Sequence, residues 1–151
     1  MTAVIARAIA SGFGAGFFPR AAGTFASLLA ALFGAVLLSL GPWALIAAVV
    51  LAAISGVWAI AAAGVGADDP GWVVIDEIAG QFLALLPLGE PRPWPIMLGF
   101  ALFRLFDIWK PGPIGWLDRR HDALGVMGDD LVAGALAAVV LWLVLAWGGW
   151  R

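Results

Sequence analysis

The sequence predicts an all-α, polytopic membrane bundle of about five membrane helices, preceded by a short N-terminal helix at the interface. Three observations carry this. Of the 151 residues, 64% are hydrophobic and only 12% are charged. A soluble domain carries about 25% charged residues, so there is too little charge here to coat a globule in water. The apolar residues gather in five long runs nearly free of charge. Strong helix breakers separate the runs, at Gly41-Pro42, Asp69-Pro70-Gly71, Gly89 to Pro95 and Pro111-Gly112-Pro113. At this length residues 1–151 read as a single membrane-embedded domain.

Residues 2–11 read as an amphipathic helix at the interface with Arg7 facing water. The start is too short, and too interrupted by Arg7, to be a cleavable signal peptide. The first membrane run follows a glycine-rich stretch and extends from Thr24 to Leu40. The second, Trp43 to Ala63, begins just after Pro42, where proline suits a helix start. The third covers Val73 to Leu88, the fourth Pro95 to Trp109 and the fifth Asp130 to Trp147. A helical crossing takes about 17–25 residues, so the third and fourth are short and either thin the membrane or dip into a protein-lined cavity. Helices are expected because lipid offers no partners to backbone groups. The nine tryptophans lie mostly near run ends, as an interfacial belt. Gly80, Gly99 and Gly134 fall inside runs, where small residues let helices approach closely.

Composition excludes several chemistries. With no cysteine, thiol nucleophiles, disulfides and Cys-type zinc sites are all absent. With one histidine, His121, mechanisms needing two imidazoles fall away, and His121 itself reads as a surface loop residue. Nothing resembles a basic nucleic-acid surface. Threading five spans from an inside N-terminus puts Arg7, Arg20, Lys110, Arg119 and Arg120 on the cytoplasmic side. Arg92 and Arg151 then lie outside, which satisfies the positive-inside bias. The same threading brings Asp76 and Glu77 (start of run three), Asp107 (end of run four) and Asp129 and Asp130 (start of run five) to that face, with Thr24 and Ser27.

Each acidic pair has a bland reading. Asp76-Glu77 and Asp129-Asp130 suit helix N-termini, and Asp107 is placed to pair with Arg104 one turn away. Taken together, their arrival on one face favours a divalent-cation site built from Asp76, Glu77, Asp107, Asp129 and Asp130. An all-oxygen ligand set suits a hard ion such as Mg2+. Adjacent helical residues point about 100° apart, so Asp76 and Glu77 are expected to face different points and take different roles, as are Asp129 and Asp130. Arg104 and Lys110 flank Asp107 and are suited to hold an anion. Arg119 and Arg120 read as ordinary positive-inside charges. Gly12, Gly14 and Gly16, then Gly23, Thr24 and Ser27, lead into run one; such a stretch presents amides to phosphate or is simply a flexible loop before a Thr cap.

These segments resemble a known family. Residues Gly99 to Arg119, reading GFALFRLFDIWKPGPIGWLDR, are similar to the signature segment of the phosphatidylglycerophosphatase A family. IDEIAG from Ile75 to Gly80, GVMGDDLVAG from Gly125 to Gly134, and Gly12, Gly14, Pro19, Gly23, Thr24 and Ser27 are similar to its other motifs, in order along nearly the whole chain. Ala22 stands where the family usually has proline, Ala26 where it often has glycine, and the loop from Asp118 to Gly125 is less glycine-rich. The resemblance implies Mg2+-dependent hydrolysis of the phosphomonoester of phosphatidylglycerophosphate to phosphatidylglycerol, at the cytoplasmic side of the bacterial inner membrane. Asp76, Asp129 and Asp130 are then expected to be catalytic, with Thr24, Ser27, Arg104 and Lys110 on the substrate phosphate. Attack by water is favoured over an aspartyl nucleophile, because there is no Asp-x-Asp pattern. The competing readings are a phospholipid head-group transferase, whose longer acidic array on one helix is missing, and a non-catalytic membrane scaffold or transporter. No polar path crosses the apolar runs to support transport. Nothing in the residues sets an oligomeric state.

Overall fold

A computed structural model describes residues 1–148; Arg151, one of the two basic residues expected outside, lies beyond them. Among the described residues the regular structure is helical throughout, with no strand. The helices are α1 (Thr2–Ala10), α2 (Ala22–Ser39), α3 (Pro42–Ala63), α4 (Ile75–Ala84), α5 (Pro93–Trp109), α6 (Pro113–Asp118) and α7 (Ala123–Trp147), with a 3-10 turn at Ala15–Phe17.

The breakers act where proline and glycine chemistry requires. Proline opens α3, α5 and α6, where its missing N–H is no loss. Gly64, at φ 70°, closes α3 in the left-handed conformation that glycine adopts without strain. Two boundaries differ from the expected runs. The α7 helix begins seven residues before Asp130, at Ala123, because the side chain of Asp122 caps it, accepting the Gly125 amide at 2.6 Å. Asp129 and Asp130 therefore sit inside the helix and cap nothing. At the start of α2, the N-cap is Ala21 rather than Thr24, so Thr24 is an internal residue. The segment before α7, expected as loop, also holds the short α6.

Three helices, α2, α3 and α7, are long and apolar enough to cross a membrane. The third and fourth runs form shorter helices. Only ten residues of Val73–Leu88 are helical in α4, about 15 Å, because Pro87 disfavours helix in the residue before it. The α5 helix has 17 residues, about 25 Å, against a hydrocarbon core of about 30 Å.

The short α4 is nonetheless the hub, packing on α2, α3, α5 and α7. Its buried residues include Asp76, Gly80 and Gln81, whereas α2 and α3 expose Leu32, Phe33, Leu51 and Ile54. That outward apolar face suits lipid rather than water. The main apolar core lies below the acidic end and joins Leu38, Leu45, Phe82, Leu85 and Leu141. Glycine sets the closest crossing. A Cβ on Gly134 would lie 2.3 Å from the Gly80 carbonyl oxygen, and one on Gly80 would lie 2.5 Å from that of Asp130. Only hydrogen fits there. At the N-terminus, α1 is present as expected, but Arg7, while exposed, lies over the rings of Trp72 at 4.9 Å and Phe17 at 5.6 Å rather than projecting freely into water.

Candidate active site

The α4–α7 crossing builds the acidic centre. Asp76 lies four residues before Gly80 and Asp130 four before Gly134, so each carboxylate sits one helical turn above the glycine on its own helix. Bringing the two glycines into contact places the carboxylates side by side. Glu77 joins them: oxygens of Asp76, Glu77 and Asp130 all lie within 4.8 Å of one another. This corrects the expectation that adjacent Asp76 and Glu77 face different points. Their Cβ atoms diverge, but the longer Glu77 side chain swings its carboxylate back across the gap. It does so beneath Gly23 of α2, where an added Cβ would meet Glu77 Oε1 at 2.0 Å. Asp76 Oδ1 and Glu77 Oε2 are buried without a hydrogen-bond partner. Each such atom costs about 1–3 kcal/mol, and more when charged, a cost that a cation bound among the three carboxylates would offset.

Two basic residues frame the trio. Arg104 forms an ion pair with the buried Asp107 on the same face of α5, and its Nη1 donates to Ser27 Oγ at 3.4 Å. The Ser27 hydroxyl is itself buried and donates to the Gly23 carbonyl at 2.7 Å. Lys110 bridges the exposed Asp118 of α6 and Asp129 of α7, donating to Asp129 Oδ2 at 2.7 Å. Asp129 Oδ1 accepts the Asp130 amide at 2.9 Å, so both oxygens of Asp129 are engaged. Asp129 and Asp130 therefore do different work. Asp107 and Asp129 stand outside the close trio but near enough to interact with its charges. Thr24 is half-buried at the first turn of α2, next to Gly23.

At the water-facing rim, burial opposes the Lys110 charge, but hydrogen bonds to Asp118 and Asp129 outweigh it and hold the ammonium above its ordinary range. Asp69, in the α3–α4 loop, is solvent-exposed by area yet crowded enough that desolvation pushes its carboxyl up. Lys110 opposes this shift, while Asp118 and Asp107 add to it. Asp122 is held below the usual carboxylate range by the Arg120 guanidinium and the Gly125 amide.

Three neighbours of the site escaped the sequence reading. Asp118 and Asp69 looked like loop charges, and only the fold carries them to Lys110. Gln81 is fully buried with neither amide atom paired; a lone amide inside an apolar run was the visible signal.

The model of the phosphatidylglycerophosphatase A family matches residues 8–145. Phosphatidylglycerophosphatase A of Escherichia coli (strain K12) is 39% identical over 141 residues, covering 90% of this chain and 81% of that protein. The Haemophilus influenzae protein of the same name is 35% identical over 143 residues, covering 92% and 88%. A candidate phosphatidylinositol-3-phosphatase of Bacteroides thetaiotaomicron is 38% identical over 148 residues, covering 90% and 93%. No solved structure matches the chain. With all four sequence motifs inside the matched region, and the acidic trio drawn from two of them, the chain belongs to the phosphatidylglycerophosphatase A family.

Proposed function

We propose that this chain is a Mg2+-dependent phosphatidylglycerophosphatase that hydrolyses the phosphomonoester of phosphatidylglycerophosphate at the cytoplasmic face of a bacterial inner membrane. The observation that carries the reading is the close trio of Asp76, Glu77 and Asp130 with two buried, unpartnered oxygens, framed by Arg104 and Lys110. The donor set is entirely oxygen and fits a small hard dication; Asp76, Glu77 and Asp130 would hold it. Bound there, the ion would supply Lewis-acid stabilisation of negative charge on the phosphoryl group.

The remaining work falls to the protein's own groups. Arg104, oriented by Asp107 and Ser27, presents guanidinium donors to phosphate oxygens; its Nε is buried and unpaired. Lys110 has three donors, two of them committed to Asp118 and Asp129, which leaves one for the substrate. Asp129, with both oxygens occupied, positions Lys110. Each trio carboxylate offers one oxygen to the ion, and the second oxygen of Asp76 or Asp130 would take the proton of an attacking water. Water then forms the new P–O bond as the bond to the lipid alkoxide breaks, and the proton held by the carboxylate passes to the alkoxide, which leaves as the alcohol. In this proposal α4 and α5 complete a five-span threading as short helices, and α1 lies at the interface. The positive-inside rule puts Arg7, Arg20, Lys110, Arg119 and Arg120, and with them the site, on the cytoplasmic side.

Purified protein should release phosphate from phosphatidylglycerophosphate with magnesium and lose that activity with a chelator. Asp130→Asn should lower turnover by at least about two orders of magnitude, the scale of removing a key charge-stabilising group, while inserting normally into membranes. Full activity in that variant, or chelator-resistant release, would sink the assignment. The Bacteroides relative supports a second reading, in which the head group is a phosphoinositide. Faster release from phosphatidylinositol 3-phosphate than from phosphatidylglycerophosphate would favour it.

A further inference from the structure

An apolar groove of about 540 Å³ runs between α2 and α3 with α4 as its floor. Its α2 wall extends from Ala26 to Leu37 and its α3 wall includes Ala48, Ala52 and Ser55. These small residues stand where leucines would close the helix–helix interface, so a trough remains. Phe33 and Leu51 form part of its exposed apolar rim.

The inner end of the groove lies level with the proposed active site, although none of its lining residues belongs to that site. The α4 helix lends it Ile75 and Ile78, which bracket Asp76 and Glu77 in the chain. The α2 helix lends it Ala26, beside the buried Ser27. At that same end the glycine-rich loop closes over α4. Gly12 has φ 56°, and a Cβ on it would meet Ile78 Cδ1 at 2.7 Å, so only glycine lets the loop seat there. From Ala26 to Leu37 the groove follows α2 for about 16 Å. That is about half of a hydrocarbon core of about 30 Å, the depth one acyl chain occupies in its own leaflet. The volume falls within the about 300–1,000 Å³ of ligand sites.

We propose that this groove takes one acyl chain of the lipid substrate and thereby aims its phosphorylated head group at the trio, a proposal that rests on the phosphatase reading above. A chain leaving bilayer hydrocarbon for an apolar groove gains little hydrophobic free energy. The groove therefore orients the lipid more than it tightens binding, and its contribution appears in turnover through alignment of the reacting groups.

The test compares kcat/KM for phosphatidylglycerophosphate in mixed micelles with kcat/KM for the same head group lacking acyl chains. In Ala48→Phe and Ser55→Leu, which fill the trough from α3, the ratio of the two should fall about tenfold or more, as for other misfitted apolar pockets. Val139→Phe, on the exposed face of α7, should leave the ratio as in wild type. A second measurement uses unmodified protein, so it stands even where a variant misfolds. Phosphatidylglycerophosphate with a photoactivatable diazirine on one acyl chain should label α2, α3 and α4 around the groove, and added phosphatidylcholine should not compete. An unchanged ratio in both filling variants overturns the proposal. So does labelling spread over α7, or labelling that bulk phosphatidylcholine erases, since the groove would then hold ordinary bilayer lipid. Wild-type protein inert on both substrates would instead bring down the phosphatase reading, and the groove with it.

Discussion

Lys110 occupies a left-handed backbone conformation, φ 49°, at the end of α5, an arrangement costing of order 1–3 kcal/mol for a residue other than glycine. Continuing the helix is blocked, because the residue before a proline is steered away from helical dihedrals and Pro111 follows. The turn swings the ammonium back toward Asp118 and Asp129, whose hydrogen bonds hold the conformation. Lys110→Met would strand the buried Asp129 carboxylate. Breaking a fully buried pair costs about 3–5 kcal/mol; Lys110 keeps 30% side-chain exposure, so the expected loss is about 2 kcal/mol in a denaturation experiment. The pH dependence has a definite sign. With its folded value raised above the ordinary 10.5, Lys110 contributes its full stabilisation below that pH. Wild-type stability should thus stay level on this account up to pH about 10.5 and erode as pH rises through the higher folded value, with no matching decline in Lys110→Met. An identical alkaline profile in the two proteins would remove Lys110 from its assigned role. Of this residue-level picture, the charges themselves were legible in the chain. Their pairing was not, because Lys110 and Asp129 are 19 positions apart and meet only when α5, α6 and α7 pack.

At the scale of the elements, the α4–α7 crossing decides where the carboxylates meet. Gly80 and Gly134 were recognisable as points of close approach, and the acidic residues one turn away were recognisable as ligands. Their joint consequence depends on which glycine meets which, and that is a property of the packed pair. Gly134→Ala tests it. The new methyl would fall 2.3 Å from the Gly80 carbonyl oxygen, a backbone atom that cannot rotate away. Overpacking costs about 1–3 kcal/mol, and here it would also push Asp130 away from Asp76 and Glu77. Phosphate release should drop at least about tenfold, since small displacements of reacting groups are costly, and protection by magnesium against thermal unfolding should weaken. Gly41→Ala, in a turn where an added Cβ meets nothing within 4 Å, is a control for the crossing only, because its φ of 114° is itself unfavourable for alanine. Activity in Gly134→Ala equal to wild type would show that the crossing does not position the site. The start of α7 shows how a boundary hides. Gly125 and Gly128 disguise its first turns as loop, although an added Cβ on Gly125 would lie 2.3 Å from the Arg120 carbonyl oxygen, so the glycine serves packing there.

At the scale of the whole molecule, the five-span threading turns on how α4 and α5 meet the bilayer. Three helices suffice by length and composition, while the α4–α5 pair falls short of a full crossing. Whether the pair spans or turns back, the loops before α4 and α7 stay on the side of the N-terminus, so the site's face is the same. The absence of cysteine makes the threading directly measurable with single introduced cysteines and a membrane-impermeant maleimide. In inverted vesicles a cysteine at His121 should label and one at Glu90 should not; in intact spheroplasts the pattern should reverse. Glu90 silent in both preparations would replace the five-span threading with a re-entrant hairpin.

Composition and periodicity alone determined that the chain is helical, with runs long and apolar enough to cross a membrane, because in lipid a long uncharged run satisfies its backbone as a helix. The motifs pointed to the family, and the carboxylates to a common end of the bundle. The tertiary structure alone decided that Asp76, Glu77 and Asp130 form the close trio while Asp107 and Asp129 are taken by Arg104 and Lys110. The physical reason is reach: residues on different helices come within ligand distance only through the crossing of Gly80 on Gly134. Side-chain length, not helical phase, brings Glu77 to its neighbour.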